Sequence, residues 1–530
     1  MDHVELLYKS PPAVPNQSHA PPGGRLVVVS NRVPAPLDAP SAGGLAVALE
    51  AALKERGGVW FGWSGESCKE KEPLPKVSEN GGVTFALCGL ARRDIDGYYH
   101  GFANRALWPV CHYRLDLASL SQSNADAYFR VNAQFAAQLQ KMLRREDLIW
   151  VHDYHLIPVA SFLRKLGCTN RIGFFLHIPW PGPEVASALP AYKELLFAFG
   201  AYDVAGFQTE ADVANFCACI ASAGAGRRFG RHYCEIGGRK LRISTFPVGI
   251  DTGAFAKEAR SAEKNPAVKR TIASLEGRPL IIGVDRLDYS KGLQQRMEAF
   301  AHFLERSQWA AWTRVTMLQI TPKSRAEVPE YARLQRELAE EAGRINGKFG
   351  DVDWTPLRYI NKTMRRSTLA GLYRAARAGL VTPLRDGMNL VAKEYVAAQA
   401  PDNPGVLVLS QFAGAAQELK SALIVNPYDI EATALAIARA LSMPLEERRH
   451  RWSDMIAALR ANSVHDWMAH FLKALSSAHE GETDGKQLPG GEALRNAGPN
   501  RGLAAIPAAM DGIAAHARGA DAAARARPAH

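Results

Sequence analysis

From Arg25 onward the chain alternates short, unbroken apolar runs with longer stretches in which apolar residues recur every three or four positions. RLVVVSNR (25–32), LIWVHDYH (148–155), RIGFFLHIP (171–179) and DVAGFQT (203–209) each predict a strand. A continuous apolar run, unlike an alternating one, predicts a strand buried on both faces, as in a parallel sheet covered by helices. After a connection near 248–278 the rhythm restarts. LIIGVDRLD (280–288), VTMLQIT (315–321), LRYI (357–360), GLVTPL (379–384), VLVLS (406–410) and LIVNP (423–427) predict six more strands. KGLQQRMEAFAHFLERS and YARLQRELAEEAGRI, lying between them, have helical periodicity. Two such sets predict an α/β protein of two Rossmann-like domains whose parallel sheets face a central cleft. Ligands are then expected at the carboxyl ends of the strands.

Composition sets the limits of this body. The 530 residues suffice for two large domains, expected at 25–250 and 279–478 with a linker region at 251–278. Residues 1–24, rich in Pro, Ser and Gly, predict a flexible arm, and the Ala/Arg/Gly/Pro-rich residues 479–530 predict a disordered tail. Part of the net charge of +11 falls in that tail, on Arg495, Arg501, Arg518, Arg525 and Arg527. No Lys/Arg stripe with interleaved aromatics accompanies it, which argues against nucleic acid. Scattered arginines suit phosphorylated small substrates equally well. The seven cysteines are odd in number and form no CxxC, so free thiols in a reducing cytoplasm are expected rather than a disulfide framework or zinc site. No apolar run approaches the about 18 residues of a membrane span, and no signal-peptide core opens the chain. A soluble cytoplasmic protein is expected, bound to no membrane.

Four features sit where predicted strands end. Arg32 closes the first strand, and SAGGL (41–45) follows, with Gly43 and Gly44 read either as a loop that approaches a phosphate or as a plain turn pair. HDYH (152–155) ends a second, and His177 ends the next; these groups suit sugar hydroxyls, with a metal pair at His152 and His155 the weaker reading because no third ligand has clear spacing. DRLDYSKG (285–292) places Arg286 and Lys291 between a strand and a helix, where two cations can stabilise a leaving diphosphate. In LVTPLRDGMNLVAKEYVAAQ (380–399), a helix beginning near Asn389 offers N–H groups to an anion, Asp386 can bind hydroxyls and Glu394 a ribose diol. GAGRRFG (224–230) follows a helix and fails the dinucleotide pattern; GxxxxGK[ST] does not occur.

LVVVSNR, SAGGLAVAL, WFGWSGE, LWPVCHYR, WVHDYHL, RIGFFLHIPWP, GFQTE, DRLDYSKGL, EAGRINGKFG, TPLRDGMNLVAKEYVAAQ and VLVLSQFAGAAQEL occur in this order. Over roughly residues 25–475 the chain resembles the trehalose-6-phosphate synthases, UDP-forming retaining glycosyltransferases of the GT-B architecture. The resemblance implies transfer of glucose from UDP-glucose to glucose 6-phosphate, in trehalose biosynthesis and osmoprotection. It places the acceptor at Arg32, Trp63, Tyr99, Asp153 and Arg325. It places the donor at Gly43, Gly44, His177, Arg286, Lys291, Met364, Asp386, Gly387, Asn389, Leu390, Val391, Ala392, Lys393 and Glu394. Asp153, His177, Arg286, Lys291 and Asp386 are the expected catalytic set. Met364 stands near the uracil where a relative has Phe. Front-face attack is implied, with no metal or other cofactor required, and no acidic DxD cluster is seen to hold a metal. The final helix is expected to be able to cross back to the first domain. A homo-oligomer and a separate phosphatase for the product are the expected partners. The rival readings are a related GT-B enzyme with another donor (GDP-glucose) or acceptor (a C7-cyclitol phosphate), and a non-catalytic sugar-phosphate sensor.

Overall fold

The structure, a computed structural model, describes residues 24–33, 49, 53, 57–69, 74–306, 314–324 and 328–478. Residues 1–23 of the arm, the tail, Gly43, Gly44 and Arg325 lie outside these residues.

Two sheets organise the chain. The first holds β1 (Leu26–Arg32), β2 (Gly58–Cys68), β3 (Lys76–Asn80), β4 (Val83–Ala91), β5 (Leu148–His152), β6 (Arg171–Phe175), β7 (Val204–Phe207), β8 (Gly226–Phe229), β9 (Tyr233–Ile236) and β10 (Arg239–Thr245). Their order is β3-β4-β2-β1-β5-β6-β7-β10-β9-β8. The seven strands from β4 to β10 pair in parallel; β3, β9 and β8 extend the two edges antiparallel. The second sheet is wholly parallel, in the order β13-β12-β11-β14-β15-β16. Its strands are β11 (Leu280–Val284), β12 (Thr316–Ile320), β13 (Leu357–Ile360), β14 (Ala378–Val381), β15 (Val406–Ser410) and β16 (Leu423–Val425).

β5, β11, β12, β14 and β15 are buried at every residue, which is why their sequences are continuously apolar. β2, β3, β4 and β8–β10 were not among the predicted strands. β3 is almost wholly exposed and β8 largely so, and β2 ends in the polar GESC, so none presents an unbroken apolar run. The connection after β10 is helical, Thr252–Ala262 and Pro266–Ala273, each started by a side-chain cap from Asp251 or Asn265.

The helix Val464–Ser476, opened by a Ser463–Asp466 capping box, lies on the first sheet. Phe471 stacks on Trp150 at 4.5 Å between centroids, and Trp467 meets Phe175 edge-on at 5.1 Å. Gly173 and Gly206 make room for it, since a Cβ at either would stand within 3.0 Å of Phe471. Among the described residues no helix is long and apolar enough to cross a membrane.

Candidate functional site

The carboxyl ends of both sheets open onto one cavity of about 570 Å³, lined by Arg32, Tyr99, Asp153 and His177 from one side and Arg286 and Lys323 from the other. β1 delivers Arg32, whose guanidinium carbon lies 5.3 Å from the centre of the Trp63 ring. Trp63 is opposite it on β2, buried, and anchored by its indole N–H to the Glu66 carbonyl at 2.8 Å. Gly65 has φ +90°, and a Cβ there would stand 1.9 Å from the Arg32 guanidinium; glycine leaves that guanidinium its place. Tyr99 packs 5.5 Å from Trp63 and 5.8 Å from His155. A cation framed by aromatic rings at a cavity mouth suits a phosphate.

β5 ends in His152, and Asp153 follows with φ 76° and ψ 166°, a region that residues other than glycine rarely occupy. Such a conformation costs about 1–3 kcal/mol and persists only where surrounding bonds impose it. Here the Asp153 N–H donates to Phe175 O at 2.8 Å, and Asp153 Oδ1 accepts from the His177 N–H at 3.2 Å. The strained residue is thereby tied to the end of the neighbouring strand. His152 Nδ1 and His177 Nε2 lie 3.0 Å apart. Burial lowers both imidazoles, that of His177 to about 3, so both rings are uncharged at neutral pH.

The turn after β11 brings the cations. Arg286 lies 4.5 Å over the Trp108 ring and 3.3 Å from Asp288. Asp288 is fully buried and accepts bonds from Trp108 Nε1 (3.3 Å), Tyr331 Oη (3.2 Å) and the Ser290 N–H (3.0 Å). Trp108, from the first half of the chain, thus fixes the arginine's shelf and its counter-ion together. Lys291 Nζ is 2.5 Å from Asp386 Oδ2, which also accepts from Asn389 Nδ2 at 2.9 Å. Burial pushes the Asp386 carboxyl up, but Lys291 outweighs it and holds it below the usual range. His112, buried beside this group, is lowered to about 4 by burial against the pull of Asp288.

Asn389, at φ 65°, caps the helix Leu390–Ala398 by accepting the Ala392 N–H at 3.3 Å. The first N–H groups of a helix lack intrahelical partners and carry partial positive charge, so this end faces an anion favourably. Glu394 lies one turn on; burial raises its carboxyl to about 7 although Arg366 opposes it. Leu390, Val391 and Met364 are partly buried against the core around it, and Ala392 is buried. Gly387 approaches the other half closely: a Cβ there would stand 1.9 Å from the His177 carbonyl oxygen.

Residues 28–477 match the sequence pattern of glycosyltransferase family 20. The chain belongs to glycosyltransferase family 20. A trehalose-6-phosphate synthase of Sinorhizobium fredii is 56% identical over 461 residues, covering 86% of this chain and 99% of that protein. An α,α-trehalose-phosphate synthase (UDP-forming) from Burkholderia xenovorans, solved in complex with glucose-6-phosphate, superposes with a TM-score of 0.82 at 51% identity, over 85% of this chain and 100% of that one. A third structure, from Escherichia coli and bound with UDP-2-fluoro glucose, gives 0.81 at 47% identity, over 86% and 99%. The two parallel-rich sheets are those of the GT-B trehalose-phosphate synthases.

Of the residues expected from the sequence, Arg32, Tyr99, Asp153, His177 and Arg286 line the one cavity. Trp63 stands behind Arg32, while Lys291 and Asp386 form one ion pair behind Arg286. The Lys393 ammonium is buried, donates to Val248 O at 2.7 Å and pairs with Glu418, which leaves its backbone for a ligand. His152 and His155 do not converge, since His152 faces His177 while His155 stacks on Tyr99. Asp-x-Asp spacings do occur, at Asp94 and Asp96, which pair with Arg130 and Arg92, and at Asp351 and Asp353, which both pair with Arg314 at the opposite end of the second sheet, ahead of β12 and β13. Sequence reasoning missed Lys323, His112 and Asp288. The TPKSR stretch after β12 was the signal for Lys323; the other two act through contacts between distant segments.

Proposed function

We propose that the chain moves glucose from UDP-glucose to glucose 6-phosphate with retention, giving α,α-trehalose 6-phosphate and UDP. The observation that carries this reading is a single cavity flanked by two separate sets of cations, Arg32 with Lys323 and Arg286 with Lys291. One set suits an acceptor's phosphate, the other a donor's diphosphate. The relatives that bind glucose-6-phosphate and UDP-2-fluoro glucose support the assignment.

In the step proposed, the bond from the sugar's anomeric carbon to the UDP phosphate oxygen breaks, and the acceptor hydroxyl forms the new bond on the same face. Its proton passes to the leaving phosphate, so atoms and charge balance. Arg286 and Lys291 stabilise the charge that grows on that phosphate, in an environment where their partners are already in place. Asp153 accepts from acceptor hydroxyls, and neutral His177 from those of the donor. We propose that no metal takes part, because the cations stand where one would act. We propose that a separate phosphomonoesterase consumes the product, trehalose 6-phosphate being a phosphate monoester.

A coupled assay of UDP release tests the proposal. UDP should appear only when UDP-glucose and glucose 6-phosphate are both present, and chelation by EDTA should leave the rate unchanged. Equal turnover with GDP-glucose would overturn the donor assignment, and release that ignores glucose 6-phosphate would overturn the acceptor assignment.

A further inference from the structure

The opposite end of the second sheet carries a second basic cavity, of about 440 Å³, which the transfer reaction does not use. Four arginines line it: Arg278, Arg374, Arg377 and Arg448. No carboxylate is among its lining residues. Two of the four have counter-ions nearby, Arg278 at 2.7 Å from Glu276 and Arg374 against Glu263. The other two do not: among the described residues no carboxylate pairs with Arg377 or Arg448. Arg448 is 4% exposed, spends one nitrogen on Asn403 Oδ1 and the Pro404 carbonyl, and leaves its buried Nε without a hydrogen-bond partner. Burial and the neighbouring Arg377 lower its pKa to about 10, the mark of a cation without an anion.

A buried guanidinium with no counter-ion is costly to maintain in a structure, and a bound anion would remove the cost. Guanidiniums from Arg377 and Arg448 lining one cavity supply the forked donors that suit a phosphate. Ile272, Leu275 and Leu441 supply apolar wall for an organic remainder. Gly405 is required at the base, since a Cβ there would stand 2.2 Å from Tyr395 Oη. Pro279 and Arg377 on its rim directly precede β11 and β14, whose far ends lead into Arg286 and Asp386. Strands of four and five residues, at about 3.3 Å per residue, put roughly 15 Å between the two sites.

We propose that this cavity is a second anion site, built for a small phosphorylated metabolite and distinct from the transfer cleft. The test titrates inorganic pyrophosphate calorimetrically into the full chain with the cleft filled by saturating UDP and glucose 6-phosphate. One further binding event is expected, weakened at least about tenfold in Arg377→Gln. Arg377 is partly exposed, so this variant should melt within about 2 °C of the parent. No binding once the cleft is filled, or binding equal in parent and Arg377→Gln, would overturn the site.

Discussion

Lys291 serves two neighbours at once. Its ammonium holds Asp386 ionised within a partly buried pair, only 11% of each side chain being exposed, and in the proposed reaction that same charge stabilises the donor's diphosphate. Removing it leaves Asp386 with its bonds from Asn389 and Gly387, so the turn should keep its shape while the leaving group loses its cation. Lys291→Ala is expected to lower kcat by about 10²–10³-fold with an unaltered circular dichroism spectrum. Near-normal turnover would remove Lys291 from the chemistry. Glu394 gives the residue scale a pH signature. Burial raises its carboxyl to about 7, so below that pH it is mostly protonated and above it ionised. In the proposed donor site a ribose diol donates to the ionised form. Binding of UDP should therefore tighten roughly tenfold between pH 6 and pH 8. Titration calorimetry at the two pH values checks this, and in Glu394→Gln the dependence should vanish; a pH dependence that survives there belongs to another group.

At the scale of elements, one buried arginine organises the loops of the second sheet. Arg296, on the helix Leu293–Arg306, is fully buried and pairs with Asp285 at 2.7 Å. It also donates to Thr382 Oγ1 at 3.0 Å, Gln319 Oε1 at 3.2 Å and the Lys291 carbonyl at 3.3 Å. One side chain thereby ties together the loops after β11 and β14 and the end of β12. Arg296→Met leaves Asp285 buried without its cation, a loss expected to cost about 3–5 kcal/mol in urea unfolding. Asp285→Asn in the same background should recover part of it; no recovery would mean that the ion pair is not the cause. None of this was legible beforehand. LIIGV and GLVTPL announce strands because burial on both faces demands apolar residues at every position. Nothing in EAFAHFLER marks the arginine before it as buried, since its partners lie on other strands. The Lys291–Asp386 pair, 95 positions apart, was readable only as two separate strand-end charges. Similarly, Trp108 and Asp288 stand 180 positions apart, and only the fold makes them neighbours.

At the scale of the whole molecule, the two sheet halves are joined at the back and meet at the front. At the back, Lys393 donates to the Val248 carbonyl, and Asn462 Nδ2 donates to the Pro247 carbonyl and to the Glu418 carboxylate Oε1. These bonds fasten the strap between the halves to the segment that carries the final helix. Gly249 fits there only without a side chain, since a Cβ would stand 2.2 Å from Asn462 O. At the front, the Asp386–Asn389 turn rests on His177 through Gly387, with the Gly414 N–H donating to Gly387 O at 2.7 Å from behind. The turn is thus backed on one side and meets the first half on the other, so a methyl group at Gly387 has no free direction. Packed interiors yield to added volume by shifting elements, at about 1–3 kcal/mol for extra methylenes. Here the shift would fall on the contact that sets donor against acceptor. Displacements of about 1 Å are enough to cost a hundredfold in rate when two reactants must be aligned. Gly387→Ala is therefore expected to lower kcat about 10–100-fold while UDP alone binds within a few-fold of the parent, because the diphosphate cations and the Glu394 helix stay in one half. Steady-state kinetics beside UDP calorimetry reads that difference; a loss of UDP affinity as large as the loss of kcat would place the damage within the donor turn rather than in the fit between the halves.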